Sequence, residues 1–253
     1  MHSKAILLIL VLTATATANA TDGDADGRGE ARIGVEAGAV WQSRNDVRIP
    51  GDTGTRFAAD GITGSGPFGF VRLEIAGEFA PRHGLRLVYA PLRISESGTA
   101  ATPLAFAGER FDSGELAATY QFNAHRLSYR YQLRQQQRWQ LQLGVTLLVR
   151  DAVVRLRQGD LRAEDTDVGL VPLLHVAGSY RLSDRWNLAF DLDGLAAPQG
   201  RAFDLGLRAE YAIADRWAVS VGYRTLDGGV DSDDVYNFAW FNYALIGMSY
   251  RLR

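Results

Sequence analysis

The sequence predicts an all-β fold: a transmembrane, antiparallel, up-and-down β-barrel of about ten strands, with eight and twelve as the alternatives. Three observations predict it. First, from Ile33 to the C-terminus apolar residues return at every second position, in stretch after stretch, broken by polar turns. The clearest run is Phe203, Leu205, Leu207, Ala209, Tyr211 and Ile213, interleaved with Asp204, Gly206, Arg208, Glu210 and Ala212. Successive side chains of a strand point to opposite faces, so this strand has one apolar face and one charged face. Second, aromatic residues cluster at the strand ends. Third, residues 1–20 have the pattern of a secretory signal peptide. Strands with one apolar face cross a bilayer only as a closed barrel, because an open edge would leave backbone groups unpaired in hydrocarbon.

The N-terminal pattern consists of His2 and Lys4, an apolar stretch from Ala5 to Leu12, and small residues ending in Ala18-Asn19-Ala20. Cleavage is expected after Ala20. The apolar stretch is far shorter than the roughly 20 residues a membrane-spanning helix needs. Residues 21–30 are rich in Asp and Gly and lack periodicity, which reads as a flexible periplasmic leader. Residues 31–253 form the barrel domain. The chain has no Cys, so neither disulfides nor thiolate chemistry is expected. A net charge of −2 with no basic stripe argues against a nucleic-acid partner. No cofactor and no metal site are expected.

Two kinds of connection alternate along the chain. Tight ones fall at 81–84, 135–138, 183–185 and 214–216; longer ones, rich in Gly, Asp and Thr, fall near 44–66, 97–112, 158–168, 196–201 and 227–235. Outer-membrane barrels have short periplasmic turns and longer outer loops. The strands are accordingly placed near 31–43, 67–80, 84–96, 113–134, 139–157, 169–182, 186–195, 202–213, 217–226 and 236–252. The third is the least determined, because its two faces are almost equally apolar, and residues 104–111 could add a hairpin. The lipid face reads Ile33, Val35, Ala37, Ala39 and Trp41 in the first strand. In the seventh it reads Trp186, Leu188, Phe190 and Leu192.

Trp139, Trp186 and Trp217 each open a strand directly after a tight turn, and Tyr180, Tyr211 and Tyr250 lie where strands return to that side. All six share the lipid-facing parity, as an aromatic girdle at the headgroup level requires. Trp41 and Trp240 fall at the opposite ends of their strands and suit the outer girdle. The chain end, Gly247-Met248-Ser249-Tyr250-Arg251-Leu252, resembles the last-strand signature that outer-membrane assembly machinery recognises. The chain runs one residue further, to Arg253, and Leu stands where Phe is usual. The whole chain resembles small proteobacterial outer-membrane barrels. The resemblance implies assembly into the outer membrane through the strand from Phe238 to Leu252, and it implies no activity. A monomer among outer-membrane lipids and lipopolysaccharide is expected.

The inward parity collects charges of both signs. The expected lumen network is Glu36, Arg72, Glu74, Glu78, Arg126, Arg130, Asp191, Asp193, Asp204, Arg208, Glu210 and Arg224. A lumen this narrow is nearly filled by side chains. Charges there must be paired, and the planar, permanently charged fork of Arg suits that task. The expectation is a closed, non-enzymatic barrel with a structural or recognition role, the alternatives being a narrow channel or small-ligand transporter and an outer-leaflet hydrolase.

His175, Asp191 and Asp193 share the inward face and are the candidates for hydrolysis, since paired carboxylates beside a His can activate water. Omptin-type proteases, ten-stranded, use two carboxylates opposite an Asp–His pair; this chain has no Asp-x-His. The bland alternative has Asp191 and Asp193 facing Arg181 and Arg208. His125 and Ser128 invite comparison with lipid A deacylases, but three-residue spacing sends them to opposite faces of a regular strand. The loop from Asp227 through Asp231, Asp233 and Asp234 does not match a calcium-loop spacing and reads as solvated.

Overall fold

A computed structural model describes residues 31–252. The expected signal peptide and leader lie outside the described residues. The strands are β1 (Ala31–Arg48), β2 (Phe57–Ala58), β3 (Phe68–Ala80), β4 (His83–Tyr89), β5 (Arg93–Ala100), β6 (Leu104–Phe106) and β7 (Glu109–Phe111), followed by β8 (Gly114–Gln135), β9 (Trp139–Gln158), β10 (Leu161–Arg181), β11 (Trp186–Ala197), β12 (Gly200–Ala212), β13 (Trp217–Asp231) and β14 (Tyr236–Leu252). One short helix, α1 (Ala59–Thr63), lies between β2 and β3.

Every neighbour pairing in the wall is antiparallel, and β1 pairs β14 from Ala31–Leu252 to Arg48–Tyr236, closing the barrel. The staves number ten, because β4 and β5 together form one. Both pair β8, and their registers are continuous across the break. The break falls at Pro91, which has no N–H to give to a ladder. There the N–H of Ala90 donates to the ring of His125 and that of Leu92 to the Asn123 amide oxygen, so side chains replace the missing rungs. This is the strand whose faces the sequence leaves ambiguous. The 104–111 segment does form a hairpin, β6–β7, but as a separate two-stranded sheet outside the wall. That excludes twelve staves.

The strands run beyond a bilayer on the outer side. A membrane strand needs about 9–11 residues; β8, β9 and β10 have 22, 20 and 21. Three expected outer loops are therefore mostly strand. The 158–168 segment is a tight turn at Gly159-Asp160 within a continuous β9–β10 ladder, and 196–201 and 227–235 likewise shrink to turns. Their polar composition reads as loop because these strand ends stand beyond the apolar belt, in water.

The wall wears its apolar face outward, with Val145 56% and Ile246 66% exposed. In water such a belt would associate; in hydrocarbon it is at home. The three inner-girdle couples are register pairs. Trp139 meets Tyr180 at 4.5 Å between ring centroids, Trp186 meets Tyr211 at 4.9 Å and Trp217 meets Tyr250 at 4.7 Å. Trp41 and Trp240 stand outward but not at strand ends, since β1 runs on seven residues past Trp41 to Arg48 and β14 begins four residues before Trp240; Trp240 Nε1 donates to Thr225 Oγ1 at 2.7 Å.

The expectation of a polar interior holds for only part of the lumen. Its outer half is an apolar core in which Val40, Ile94, Tyr120, Leu156 and Phe241 are all but inaccessible. The β1–β3 connection and the β6–β7 hairpin fold inward to complete it, burying Phe57, Ile62, Phe106 and Phe111. Buried polar groups anchor this cap. Gln42 Nε2 donates to Thr63 Oγ1 at 2.9 Å, and the Asn45 N–H donates to Asp60 Oδ1 at 2.9 Å.

Candidate functional site

Below the apolar cap the inward side chains form one continuous ion-paired layer. At its edge nearer the chain ends Arg32 bridges Glu74 (3.2 Å) and Glu210 (3.4 Å), and Arg86 Nε holds Glu74 at 2.8 Å. In the middle, Asp191 receives Arg208 at 2.6 Å, Arg224 at 3.1 Å and Arg86 at 3.3 Å. Asp204 receives Arg126 at 2.5 Å and Arg224 at 2.5 Å, with Arg72 at 3.7 Å. Glu36 joins Arg208 and Arg72, and Asp193 joins Arg126 and Arg86. The carboxylates are Glu36, Glu74, Asp191, Asp193, Asp204 and Glu210; the guanidiniums are Arg32, Arg72, Arg86, Arg126, Arg208 and Arg224. Six negative charges thus meet six positive ones.

Arg72, Arg86, Arg126, Arg224, Asp191, Asp193 and Asp204 are each less than 5% exposed. Charges so far from water persist only when each has partners. A guanidinium presents five donors in a rigid fork and does not deprotonate, so each Arg can hold two or three carboxylates at once. The sheet leaves room for them. A Cβ added to Gly206 would lie 2.5 Å from Arg224 Nη2 and 3.0 Å from Asp191 Oδ1. Glycine at this position lets the Arg224 fork lie flat against the wall.

Ten of the twelve residues expected in the network lie in this layer. Glu78 does not: it is exposed near the end of β3 and has no ion pair among the described residues. Arg130 also stands apart, its Nη2 donating to the Leu85 carbonyl at 3.5 Å. Arg181 is exposed and is not the partner of Asp191 or Asp193; Arg86, Arg126 and Arg224 take that place. The reason is register. Arg181 pairs Asn187 beside the turn, while Asp191 and Asp193 lie opposite Ala177 and His175. Arg32 and Arg86 were missed. Arg32 shares the parity of Glu36, a signal that was present; Arg86 lies on the third strand, where parity could not be read.

His175 and Asp193 do come together, Nδ1 donating to Oδ1 at 2.7 Å, with Thr146 Oγ1 donating to the same oxygen at 2.7 Å and Ser128 behind Thr146 at 2.7 Å. The chain is sealed: His175 is 1% exposed and Ser128 and Asp193 are fully buried. General-base work needs a reach to substrate or water, and this group is packed within the ion layer. His125 faces outward and stacks on Tyr89 at 4.7 Å, whereas Ser128 faces the lumen. They stand on opposite faces, as their spacing requires.

Outside the membrane span, charges pair in smaller groups. Asp227, in β13, is held by Arg44 of β1 at 3.0 Å and Arg201 of β12 at 2.8 Å, which joins three staves of the wall. Arg155 and Arg162 clasp Glu164 at 2.6 and 2.7 Å across the β9–β10 hairpin. Their hydrogen bonds hold its carboxyl down to about 2. Among the described residues no group of three or more His, Asp or Glu is placed to hold a metal ion.

No protein-family model matches the chain, and no curated protein matches it in sequence. In structure it is similar to the outer-membrane protease OmpT from Escherichia coli, with a TM-score of 0.51 at 10% identity over 88% of this chain and 97% of that one. It is also similar to Ail, the attachment invasion locus protein of Yersinia pestis, in complex with the heparin analogue sucrose octasulfate (TM-score 0.42, 11% identity, 88% and 99% covered). Neisserial surface protein A gives a TM-score of 0.34 at 11% identity, with 87% and 96% covered. Identity this low speaks to the fold alone. That fold is a closed antiparallel barrel of the kind found in bacterial outer membranes.

Proposed function

We propose that the chain is an integral protein of a Gram-negative outer membrane, closed to solutes by its Arg–carboxylate layer and without enzymatic activity, with a structural or recognition role carried by its outer hairpins. A signal peptide at residues 1–20 would deliver it to the periplasm. Assembly would proceed through β14, and the finished monomer would sit among outer-membrane lipids and lipopolysaccharide. The three Trp–Tyr couples and the apolar belt above them support that placement.

One observation carries the closed reading. Among the described residues the most buried charges lie in a single layer across the lumen, each bound to partners on several staves. Opening a path means parting such pairs, and breaking one buried pair costs about 3–5 kcal/mol. A single experiment tests the reading. The protein is reconstituted into vesicles that contain lipopolysaccharide and a trapped small sugar. Retained sugar and lipid A of unchanged mass are expected. Sugar loss above that of empty vesicles would make the protein a channel, and shortened lipid A would make it a hydrolase.

A further inference from the structure

The β10–β11 ladder stops short. It runs from Arg181–Asn187 to Leu174–Gly194, while β10 continues to Leu161 paired only with β9, and β11 continues to Ala197 paired only with β12. Among the described residues no backbone hydrogen bond joins 161–173 to 195–199. Pro172 sits just past the last rung, at a residue type that sheets tolerate only at an edge. The wall is therefore parted here. The apolar side chains beside the parting are among the most exposed of the molecule: Leu174 60%, Leu170 65% and Val168 71%.

Behind the parting lies a cavity of about 250 Å³. Leu148, Val171, Leu173, Ala202, Leu226 and Phe241 line it. Its floor is the Arg126–Asp204 pair, the top of the ion layer. Leu195 and Ala197, on the β11 side of the parting, line it too, as does Phe203, which stands on the outer face of β12 beside Gly194. The cavity therefore reaches the outside of the wall through the parting. Of its charged rim residues, Arg150 is held by Asp167 and Arg201 by Asp227, while Asp165 at the mouth has no ion pair among the described residues. Most of what the cavity offers a ligand is apolar surface. An apolar cavity of about 150 Å³ admits benzene, so this one accepts a larger apolar body such as a length of acyl chain.

The height fits a lipid source. From Trp186 at the inner girdle to Gly194 at the last rung, the strand covers about 26 Å at ~3.3 Å per residue, or about 20 Å of vertical rise at ~40° tilt. The apolar band of such barrels is about 25 Å tall, so the parting begins in the outer leaflet.

We propose that this cavity is a binding site for a single acyl chain, which reaches it sideways from the outer leaflet through the parting between β10 and β11. The proposal rests on the closed-barrel reading, since the ion layer is the floor on which the chain end would stop. The chain could belong to a membrane lipid or to a free fatty acid, and two probes separate these sources. Diazirine-bearing dodecanoic acid is added to proteoliposomes, or the vesicles are made from a phosphatidylcholine carrying the same group in one chain. After illumination, labelled positions are mapped by mass spectrometry.

Because the chain has no Cys, a Pro172→Cys/Ala196→Cys pair can be bridged selectively with a reducible thiol-to-thiol cross-linker that spans the parting; both positions have the outward parity, and the ladder register carried past Leu174–Gly194 places them on facing edges of the parting. Label on Leu148, Leu173 or Phe241 that is lost on bridging and regained on reduction is the expected result. Label on Leu143 and Val145, which face lipid throughout, should not change and serves as the internal reference. Loss of inward label from the lipid probe assigns a membrane lipid; loss from the fatty acid alone assigns a free amphiphile. Inward label that survives bridging would overturn the lateral route. Label confined to outward positions in the unbridged protein would overturn the site itself. Retention of trapped sugar in the same vesicles reads the closed lumen independently of either outcome.

Discussion

Replacing Asp204 by Asn removes one negative charge from the centre of the layer and almost nothing else. Asp204 is 2% exposed and stands 2.5 Å from Arg126, 2.5 Å from Arg224 and 3.7 Å from Arg72. The amide fills the same space and still accepts a hydrogen bond, but three guanidiniums lose the charge on which they converge. None of them can release its proton in response. Removing one member of a buried pair costs about 3–5 kcal/mol. Asp191 still holds Arg224 and Asp193 still holds Arg126, which places the expected loss near the lower end, about 3 kcal/mol. The assay is urea unfolding in lipid vesicles, followed by the fluorescence of the 5 Trp residues. Adding Arg126→Met to Asp204→Asn restores charge balance, so the double variant should recover about 1–3 kcal/mol relative to the sum of the singles. A single variant that loses less than about 1 kcal/mol, or a double variant equal to the sum, would refute the claim that these charges act as one unit.

Three further outcomes follow from the same geometry. Gly206→Val drives a side chain into Arg224 and Asp191 and should destabilise by about 1–3 kcal/mol in the same unfolding assay; a neutral result would mean the fork is not confined there. Trp217→Ala breaks the couple with Tyr250 and should cost the pairing energy of about 0.5–1.5 kcal/mol beyond lost area, measured as a cycle with Tyr250→Ala. Glu164 has a folded value held down to about 2 against an ordinary value near 4.5, so its clasp is complete above about 4.5 and is lost as pH falls toward 2. A spin label at Asp160→Cys should gain mobility over that window, and Glu164→Gln should abolish the change.

The staves were legible because one face of each must meet hydrocarbon, and that demand writes itself as strict alternation. Turns were legible for the same reason, since the Trp residues that open β9, β11 and β13 mark the headgroup level. What the alternation could not reveal was the outer half. There the alternation of β8 is inverted, with Leu116, Tyr120 and Phe122 inward and Glu115, Thr119 and Gln121 on the other face, because the β1–β3 connection and the β6–β7 hairpin turn back into the lumen to meet the apolar side. A polar loop composition does not disclose that its few apolar members, Phe57, Ile62, Phe106 and Phe111, are cap residues. The charge layer was legible by parity on regular strands and illegible on the stave broken at Pro91, which hid Arg86. The parting between β10 and β11 left one sign in the sequence, Pro172, without its meaning: a missing N–H shows where a rung is unmade, not whether space lies behind it.

Ion conductance through a planar bilayer tests the closed layer most directly, since ions need a far narrower path than sugar. The account predicts that the wild-type protein, inserted from either side, gives no current steps at either polarity. Steady ohmic steps from the wild-type protein would mean that water threads between the carboxylates and guanidiniums, and that the layer lines a pore instead of sealing one.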